Sequence, residues 1–310
     1  MGASGRLLWV LALTSIHPGV GRSEEAQVDL PVQRDEFGLP AIWASSLKGA
    51  ARAKAERGLF NGDKCVGKVG DCAEVLALFG PKPEDAHEHS SAVAFLDAKL
   101  FAIPARSLKG VWLYVTSPLL VSFARLYAEA LGVSLGLPDP PRVQPGEAAL
   151  SDPSYAQGNV VVINEISFKL ANTSAPTYNI QPVNKVGQIT GRNPAFAVVS
   201  DDDMPRVVRR SLLVQYRVRL DRERKTVDVG PWSEEYVPPF TIFVSGIHCH
   251  GRMPQKVKVK VSDPQQPGAY KIQDEAVQIK DPCDRAYSLV AGPLWIGGKE
   301  TVGKGLVEVV

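Results

Sequence analysis

Asp29 stands alone as an acid in the extended stretch VDLPVQR, which leads to a helix expected from about 46 to 57. That helix opens with Ser45, Ser46, Lys48 and Gly49, and Arg52 follows Lys48 by four positions. A helix start offers amides without intrahelical acceptors and the positive end of the dipole, so it suits an anion. Ser is a preferred cap, and Gly49 lets another backbone approach closely. Lys48 and Arg52 share a face at that spacing. These residues point to a phosphate seat, with a carboxylate on the loop leading into it. The alternative is an ordinary capped helix start with Asp29 as a turn former.

Two further stretches carry chemical potential. GKETVGKG, from Gly298 to Gly305, is close to the phosphate-binding pattern G-x-x-x-x-G-K-[ST]. Gly305 stands where the metal-binding hydroxyl belongs, and no helix has room to follow, which argues against a nucleotide-hydrolysing loop. A turn holding Gly297, Gly298, Lys299, Thr301, Gly303, Lys304 and Gly305 still fits phosphates through its amides, or serves as a tight hairpin turn. WSEEYVPP sets Glu234, Glu235 and Tyr236 before a strand, a carboxylate and phenol pair suited to acid–base support if the fold brings them near Asp29.

Other patterns are weaker. KGVWLYV, from Lys109, matches an RNA-binding strand signature only at Lys109 and Gly110, which leaves Trp112 and Tyr114 as core. His87 and His89, with His248, Cys249 and His250, lack the spacing of ordinary zinc sites. The four cysteines, Cys65, Cys72, Cys249 and Cys283, are few and unevenly spaced, which argues against a disulfide framework and for the cytoplasm. Lys256, Lys258 and Lys260 alternate on one strand face, a common guard of an exposed sheet edge.

The elements that position these residues follow from composition and pattern. A chain of 310 residues with 45% hydrophobic content buries a substantial core, and a net charge of +2 confines any nucleic-acid binding to local clusters. The apolar run Leu7 to Ile16 reads as a buried strand rather than a secretory leader, and no stretch is long enough to cross a membrane. Strands are expected at 93–103, 111–116, 160–170 and 237–247, and the run from Arg206 to Leu220 alternates basic and apolar residues. A helix runs from Pro118 to about Leu131, and a strand, a glycine loop and a final strand close the chain. Residues 60–90 read as an insertion, and residues 171–200 as a β-hairpin. The fold class is α+β, with helices on one face of an antiparallel sheet in a ferredoxin-like arrangement.

Together these stretches resemble a known family. LPVQR after Asp29, SSLKGAAR, LFG, FLDAKLFAIPARSLKGVWLYVTSPLL, EEYVPP and IGGKETVGKGLV follow in that order. The chain resembles the RAMP-superfamily backbone subunit of the Cmr (type III-B) CRISPR effector complex, the subunit that carries the target-RNA endoribonuclease. The resemblance spans nearly the whole chain. It implies an RNA-recognition-like palm within one RAMP domain over 1–310, a hairpin thumb, and a helical filament of copies on CRISPR RNA. The partners it implies are CRISPR RNA, single-stranded target RNA, copies of the chain and other Cmr subunits, with no membrane.

The resemblance places the catalytic aspartate on Asp29, with His17, Glu234 and Tyr236 supporting it and Glu235 as an alternative to Glu234. It makes the helix start and the glycine loop guide-phosphate contacts, and it maps the thumb to 171–200, with Tyr178, Ile180 and Val183 as wedge candidates. It implies cleavage assisted by a divalent ion, Mg²⁺ or Mn²⁺, held by Asp29 and shared with RNA phosphates. The rivals are a backbone subunit without nuclease activity, the type III-A equivalent, a RAMP enzyme that processes CRISPR RNA precursors, and a secreted binding domain.

Overall fold

The computed structural model describes residues 5–23, 28–251, 253–263, 265–266 and 269–310. The strand Gly5–Ala12 lies between Ile242–Cys249 and Leu306–Val309, antiparallel to both. Its nearly continuous apolar sequence is explained by what lies on either side. Leu8, Val10 and Ala12 join one hydrophobic core, while Trp9 and Leu11 join another. Side chains alternate across a strand, so a strand covered on both faces needs apolar residues at every position.

The sheet continues beyond this centre. Its order is Gly292–Trp295, Leu306–Val309, Gly5–Ala12, Ile242–Cys249, Ala98–Ser107, Val111–Thr116, Phe196–Val199, Glu147–Leu150, Ile166–Leu170, Val160–Ile163. Most neighbours are antiparallel. Phe196–Val199 runs parallel to Val111–Thr116, and Ile166–Leu170 parallel to Glu147–Leu150. Helix Ala44–Glu56 packs on helix Pro282–Val290 over one face, with Leu47, Ala51, Ala286 and Val290 buried there. Helices Pro118–Ala130 and Gln181–Thr190 cover the other through Val121, Ala124, Val183 and Val186. The mixed α/β class therefore holds. The expectation of helices on one face only does not, because Trp9, Phe101, Tyr114 and Phe196 form a second apolar face that must also be covered.

Residues 171–200 are not a β-hairpin. They hold the helix Gln181–Thr190 and the central strand Phe196–Val199. Pro182 sits in the first helical turn, Val183, Val186 and Gly187 are buried, and Gly191 closes the helix with φ +73. Tyr178, Ile180 and Val183 are buried and cannot act as a wedge. The hairpin lies later, in Leu213–Leu220 and Val227–Tyr236, which form a two-stranded sheet tied to the rest of the fold by a bridge from Leu30 to Glu234. Before it, Met204–Ser211 is a short helix, so the basic and apolar run changes from helix to strand at Leu212.

Residues 60–90 do not stand alone. Phe60–Asn61 and Lys64–Cys65 join Lys256–Ser262 and Tyr270–Ala276 in a small separate sheet, on which helix Val69–Phe79 packs. Lys258 and Lys260 are spent on Glu88 and Asp63. The cysteines, contrary to the sequence argument, pair as Cys65–Cys72 and Cys249–Cys283. The second pair is 34 residues apart in sequence and 5.8 Å apart at Cα, a proximity that only the packing of Pro282–Val290 on the sheet creates. No thiolate is left for a zinc site among the described residues. No helix among them is long and apolar enough to cross a membrane.

Candidate functional site

The chain leaves the central strand at Ala12 and crosses the end of the sheet. Ile16 bridges Val237 and His17 bridges Gly297. The His17 Nδ1 lies 2.7 Å from the carbonyl oxygen of Glu235. A carbonyl only accepts, so Nδ1 carries the proton, and in the neutral ring Nε2 is an acceptor. The ring is buried and tilts against Tyr236 at 5.4 Å between centroids. A β-carbon on Gly19 would come within 2.6 Å of Nε2, so this turn needs glycine.

The returning loop then lies along Ser233–Glu235. Leu30 donates to the Ser233 carbonyl at 3.1 Å, and Glu235 donates to the Leu30 carbonyl at 3.0 Å. Asp29 is thereby set against Ser233, whose amide donates to Oδ2 at 2.7 Å and whose hydroxyl donates to the same oxygen at 2.8 Å. The Asp29 amide in turn donates to Ser233 Oγ at 3.0 Å. The Ser233 amide, and then its hydroxyl, hold this carboxyl below its usual range. Asp29 is half-buried, not sealed in the core, so its carboxylate meets solvent already ionised.

Strand alternation sends Glu234 and Glu235 to opposite sides. Glu235 is bound by Arg34 at 2.8 Å and by the Val32 amide at 3.1 Å, which fixes the Asp29 loop from beneath. Glu234 is fully buried and has four partners. Trp232 Nε1 donates at 2.8 Å, Lys299 Nζ lies at 2.6 Å, Arg217 Nε at 2.8 Å, and the Tyr236 hydroxyl also donates to it. Burial pushes this carboxyl up, but Lys299, Tyr236 and Trp232 outweigh it and hold it at about 2. Burial and the adjacent carboxylate raise the Tyr236 hydroxyl to about 12. Glu234 is thus a permanent anion whose lone pairs are taken, and it suits positioning better than proton abstraction.

The glycine loop packs directly on this cluster. Gly298 donates to the His17 carbonyl at 3.0 Å, and Gly305 donates to the Ser15 carbonyl at 3.0 Å. Gly297, Lys299, Gly303 and Gly305 all have positive φ. Lys299 reaches Glu234, and Lys304 Nζ stands 5.1 Å from the centre of the Tyr236 ring. Gly297, Gly298, Thr301 and Gly303 are exposed.

The other corner is differently built from the expectation. The helix begins at Ala44 with Trp43 in the cap position, and neither Ser45 nor Ser46 caps it. Asp97 does so from another segment, accepting the Ala44 amide at 2.6 Å. Ser46 Oγ instead accepts from Gln33 Nε2 at 3.0 Å, and the same Nε2 donates to the Gly19 carbonyl at 3.4 Å. Gln33 thus joins the helix start to the turn after His17, so the two glycine-bearing corners lie on one side of the molecule. Ser45 and Gly49 are exposed. Lys48 and Arg52 do share a face, but it is turned inward. Lys48 donates to Ser91 Oγ at 3.0 Å, and burial lowers its pKa. Arg52 binds Glu56 at 2.7 Å and the Pro81 carbonyl at 2.9 Å.

The structure therefore unites Asp29, His17, Glu234, Tyr236, Lys299 and Lys304, and leaves Lys48 and Arg52 as packing residues. Sequence reasoning missed Ser233, Arg217, Arg34 and the hairpin. On that hairpin Val214, Tyr216 and Val218 form an exposed row, with Tyr216 76% exposed, opposite Gln215 and Arg217. The alternation of apolar and polar residues over 213–219 was the available signal.

Comparison with known proteins agrees over the whole length. A family model described as the RAMP superfamily matches residues 9–308. The CRISPR system Cmr endoribonuclease Cmr4 of Pyrococcus furiosus is 32% identical, with 98% of this chain and 94% of that protein covered. The CRISPR system CMR subunit Cmr4 of Saccharolobus solfataricus is 30% identical, with 97% and 94% covered. A chain in the cryo-EM structure of the type III-B Cmr-beta complex bound to cognate target RNA superposes with a TM-score of 0.69 at 27% identity, covering 98% of this chain and 96% of its own. The chain belongs to the RAMP superfamily and, within it, to the Cmr4 family.

Proposed function

We propose that this chain is the repeated backbone subunit of a type III-B CRISPR effector complex, binding CRISPR RNA and cutting the complementary target RNA at regular intervals. The observation that carries the reading is the half-exposed Asp29 carboxylate, held ionised by Ser233 beside the Glu234–Lys299 cluster. It occurs in a chain 32% identical to a Cmr endoribonuclease over nearly all its length. The partners are CRISPR RNA, single-stranded target RNA, other copies in a filament and further Cmr subunits. The compartment is the cytoplasm. Disulfides are rare there, proteins of hyperthermophiles being the exception.

Residues 1–310 form one RAMP domain. Its palm reads as ferredoxin-like, supported by the antiparallel order Leu306–Val309, Gly5–Ala12, Ile242–Cys249, Ala98–Ser107, with helices Ala44–Glu56 and Pro282–Val290 as the crossovers. The hairpin at 213–236 takes the thumb role.

The residues act as follows. A nucleotide splayed from the guide–target duplex presents its 2′-hydroxyl in line with the adjacent phosphorus, and such alignment removes much of the barrier. Asp29, ionised and fixed through Oδ2, receives that hydroxyl proton as the 2′-oxygen bonds to phosphorus. The bond to the 5′-oxygen breaks, that oxygen takes a proton from water, and the products carry a 2′,3′-cyclic phosphate and a 5′-hydroxyl. Glu234 holds Lys299 and Arg217 in place, His17 ties the glycine loop to the Glu235 backbone, and Tyr236 closes the wall between them. Lys304 and the exposed rim of the glycine loop at Thr301 bind guide phosphates, the amides of Gly298, Gly303, Lys304 and Gly305 being donated within the fold.

A divalent ion fits this donor set only as a shared one. Asp29 offers a single carboxylate, while Glu234 and Glu235 are already neutralised by Lys299, Arg217 and Arg34. No group of three or more ligating residues occurs among the described residues. Mg²⁺ or Mn²⁺ held by Asp29 and RNA phosphates would supply charge neutralisation at the cut.

The test is a cleavage ladder on complementary RNA with the assembled complex. Asp29→Asn abolishes the evenly spaced products and leaves guide binding intact. Undiminished cutting by that variant removes Asp29 from the reaction.

A further inference from the structure

A cleft of about 430 Å³ opens against the loop that carries Asp29. Val28 and Pro31, which flank the aspartate, form one wall, and Pro205 and Phe37 stand on the others. Its size lies in the range of small-ligand sites. Phe37 is 51% exposed although it is a large apolar side chain, and its ring meets that of Phe123 at 5.8 Å. Arg209 lines the same cleft and makes no ion pair or hydrogen bond among the described residues. Arg34 and Glu235 also line it, but they neutralise each other and are rigid. The cleft therefore offers apolar surfaces, one uncommitted cation and no free carboxylate.

We propose that this cleft receives the target nucleotide displaced beside the cut, its base against Phe37 and the two prolines and its phosphate on Arg209. The proposal rests on the reading of Asp29 given above. Unstacked bases bind proteins through aromatic and apolar faces and arginine planes. A phosphate adds the demand for a nearby cation, which Arg209 meets. The position is fitting, since Val28 precedes Asp29 and Pro31 follows it by two residues. A nucleotide seated there lies against the same loop that presents the Asp29 carboxylate. The cleft is also blind to base identity. Glu235, the polar group on its floor, accepts from Arg34 and the Val32 amide and has no role left in reading base edges. This fits an enzyme that cuts by interval and not by sequence.

The experiment uses the assembled complex and two modified target RNAs. In one, 4-thiouridine replaces the nucleotide beside a single cut. In the other, that nucleotide lacks its base. The expected result is crosslinking to the peptides holding Phe37 or Pro205 to Arg209. The abasic target is cut about tenfold more slowly at that interval only. Exchanging the four bases there changes the rate little. Phe37→Leu, which keeps the apolar cover but loses the ring, slows every interval by a similar factor. Crosslinks elsewhere, no crosslink, or an abasic interval cut at the full rate overturns the cleft. The crosslink reports seating whether or not the strand is cut. A complex that crosslinks in the cleft while Asp29→Asn still cuts keeps the cleft and removes the catalytic reading.

Discussion

Gly297 approaches the main chain of His17 so closely that a β-carbon on it would meet the His17 carbonyl oxygen at 2.3 Å. The two residues form a parallel bridge, and the next amide, Gly298, donates to that same oxygen. The glycine loop and the start of the Asp29 loop are therefore one structural unit, joined where no side chain fits.

The first prediction follows from that close approach. Gly297→Ala adds both the clash and a φ of +79 that an L-residue adopts at a cost of about 1–2 kcal/mol. Gly298→Ala adds neither, because its nearest neighbour would be His17 Cδ2 at an ordinary 3.9 Å. Thermal unfolding of the two variants should differ by several degrees. Target cutting should fall at least tenfold for Gly297→Ala and stay near the parent for Gly298→Ala. Equal behaviour of the pair would show that the two loops are not coupled.

Glu234 makes a pH prediction. Its folded-state pKa, about 2, lies below the ordinary 4.5, so its stabilisation is complete above about 4.5 and is lost as the pH falls toward 2. Glu234→Gln leaves Arg217 and Lys299 without their carboxylate and should cost about 2 kcal/mol at neutral pH, allowing for solvent screening of those partners. Denaturant unfolding at a series of pH values should show the variant's deficit shrinking as the pH drops from 4.5 toward 2. A deficit constant across that window would mean that the ion pairs contribute nothing.

Of the three lysines expected as phosphate ligands, Lys299 is bound to Glu234, and the other two separate in the structure. Lys304 makes no ion pair among the described residues and stands over Tyr236 on the exposed loop, whereas Lys48 is tied to Ser91 and turned toward it. Removing one cation from a bound phosphate lowers the slope of log affinity against log salt by about 0.7–0.9. Filter binding of guide RNA should show that decrease for Lys304→Ala and no change of slope for Lys48→Ala. The reverse order would restore the helix start as the main guide-binding corner.

What the amino-acid sequence reveals of this molecule divides along physical lines. The strand Gly5–Ala12 is legible because burial on both faces leaves an unbroken apolar run. The association of Asp29 with Glu234 and Tyr236 comes from resemblance, since nothing local in WSEEY shows that Ser233 clasps an acid 204 residues away. The helix at 181–190 is hidden by its proline, glycine and threonine content, although the spacing of Val183, Val186 and Gly187 is helical. The disulfides are illegible for a different reason. Cys249 and Cys283 meet only through the docking of a helix on the sheet, which spacing along the chain does not encode.

The hairpin supplies the last prediction. Tyr216 pairs with Ser233 across the hairpin, and Ser233 holds Asp29, so the ring shares a hairpin face with the side chain that clasps the Asp29 loop. It is 76% exposed and carries no hydrogen bond among the described residues, so folding gains little from it. Removing an exposed side chain of this kind changes stability by about 0.5 kcal/mol or less. If the ring instead acts as the wedge, stacking on the paired base beside the displaced nucleotide, its removal costs about 1–3 kcal/mol of stacking, roughly a tenfold or greater fall in target cutting. Tyr216→Ala should therefore leave the melting temperature unchanged and slow every interval of the ladder, while Tyr216→Phe retains the parent rate. A fall in cutting matched by a fall in melting temperature would assign the ring to the fold. A full rate in Tyr216→Ala would leave the wedge to Val214 and Val218.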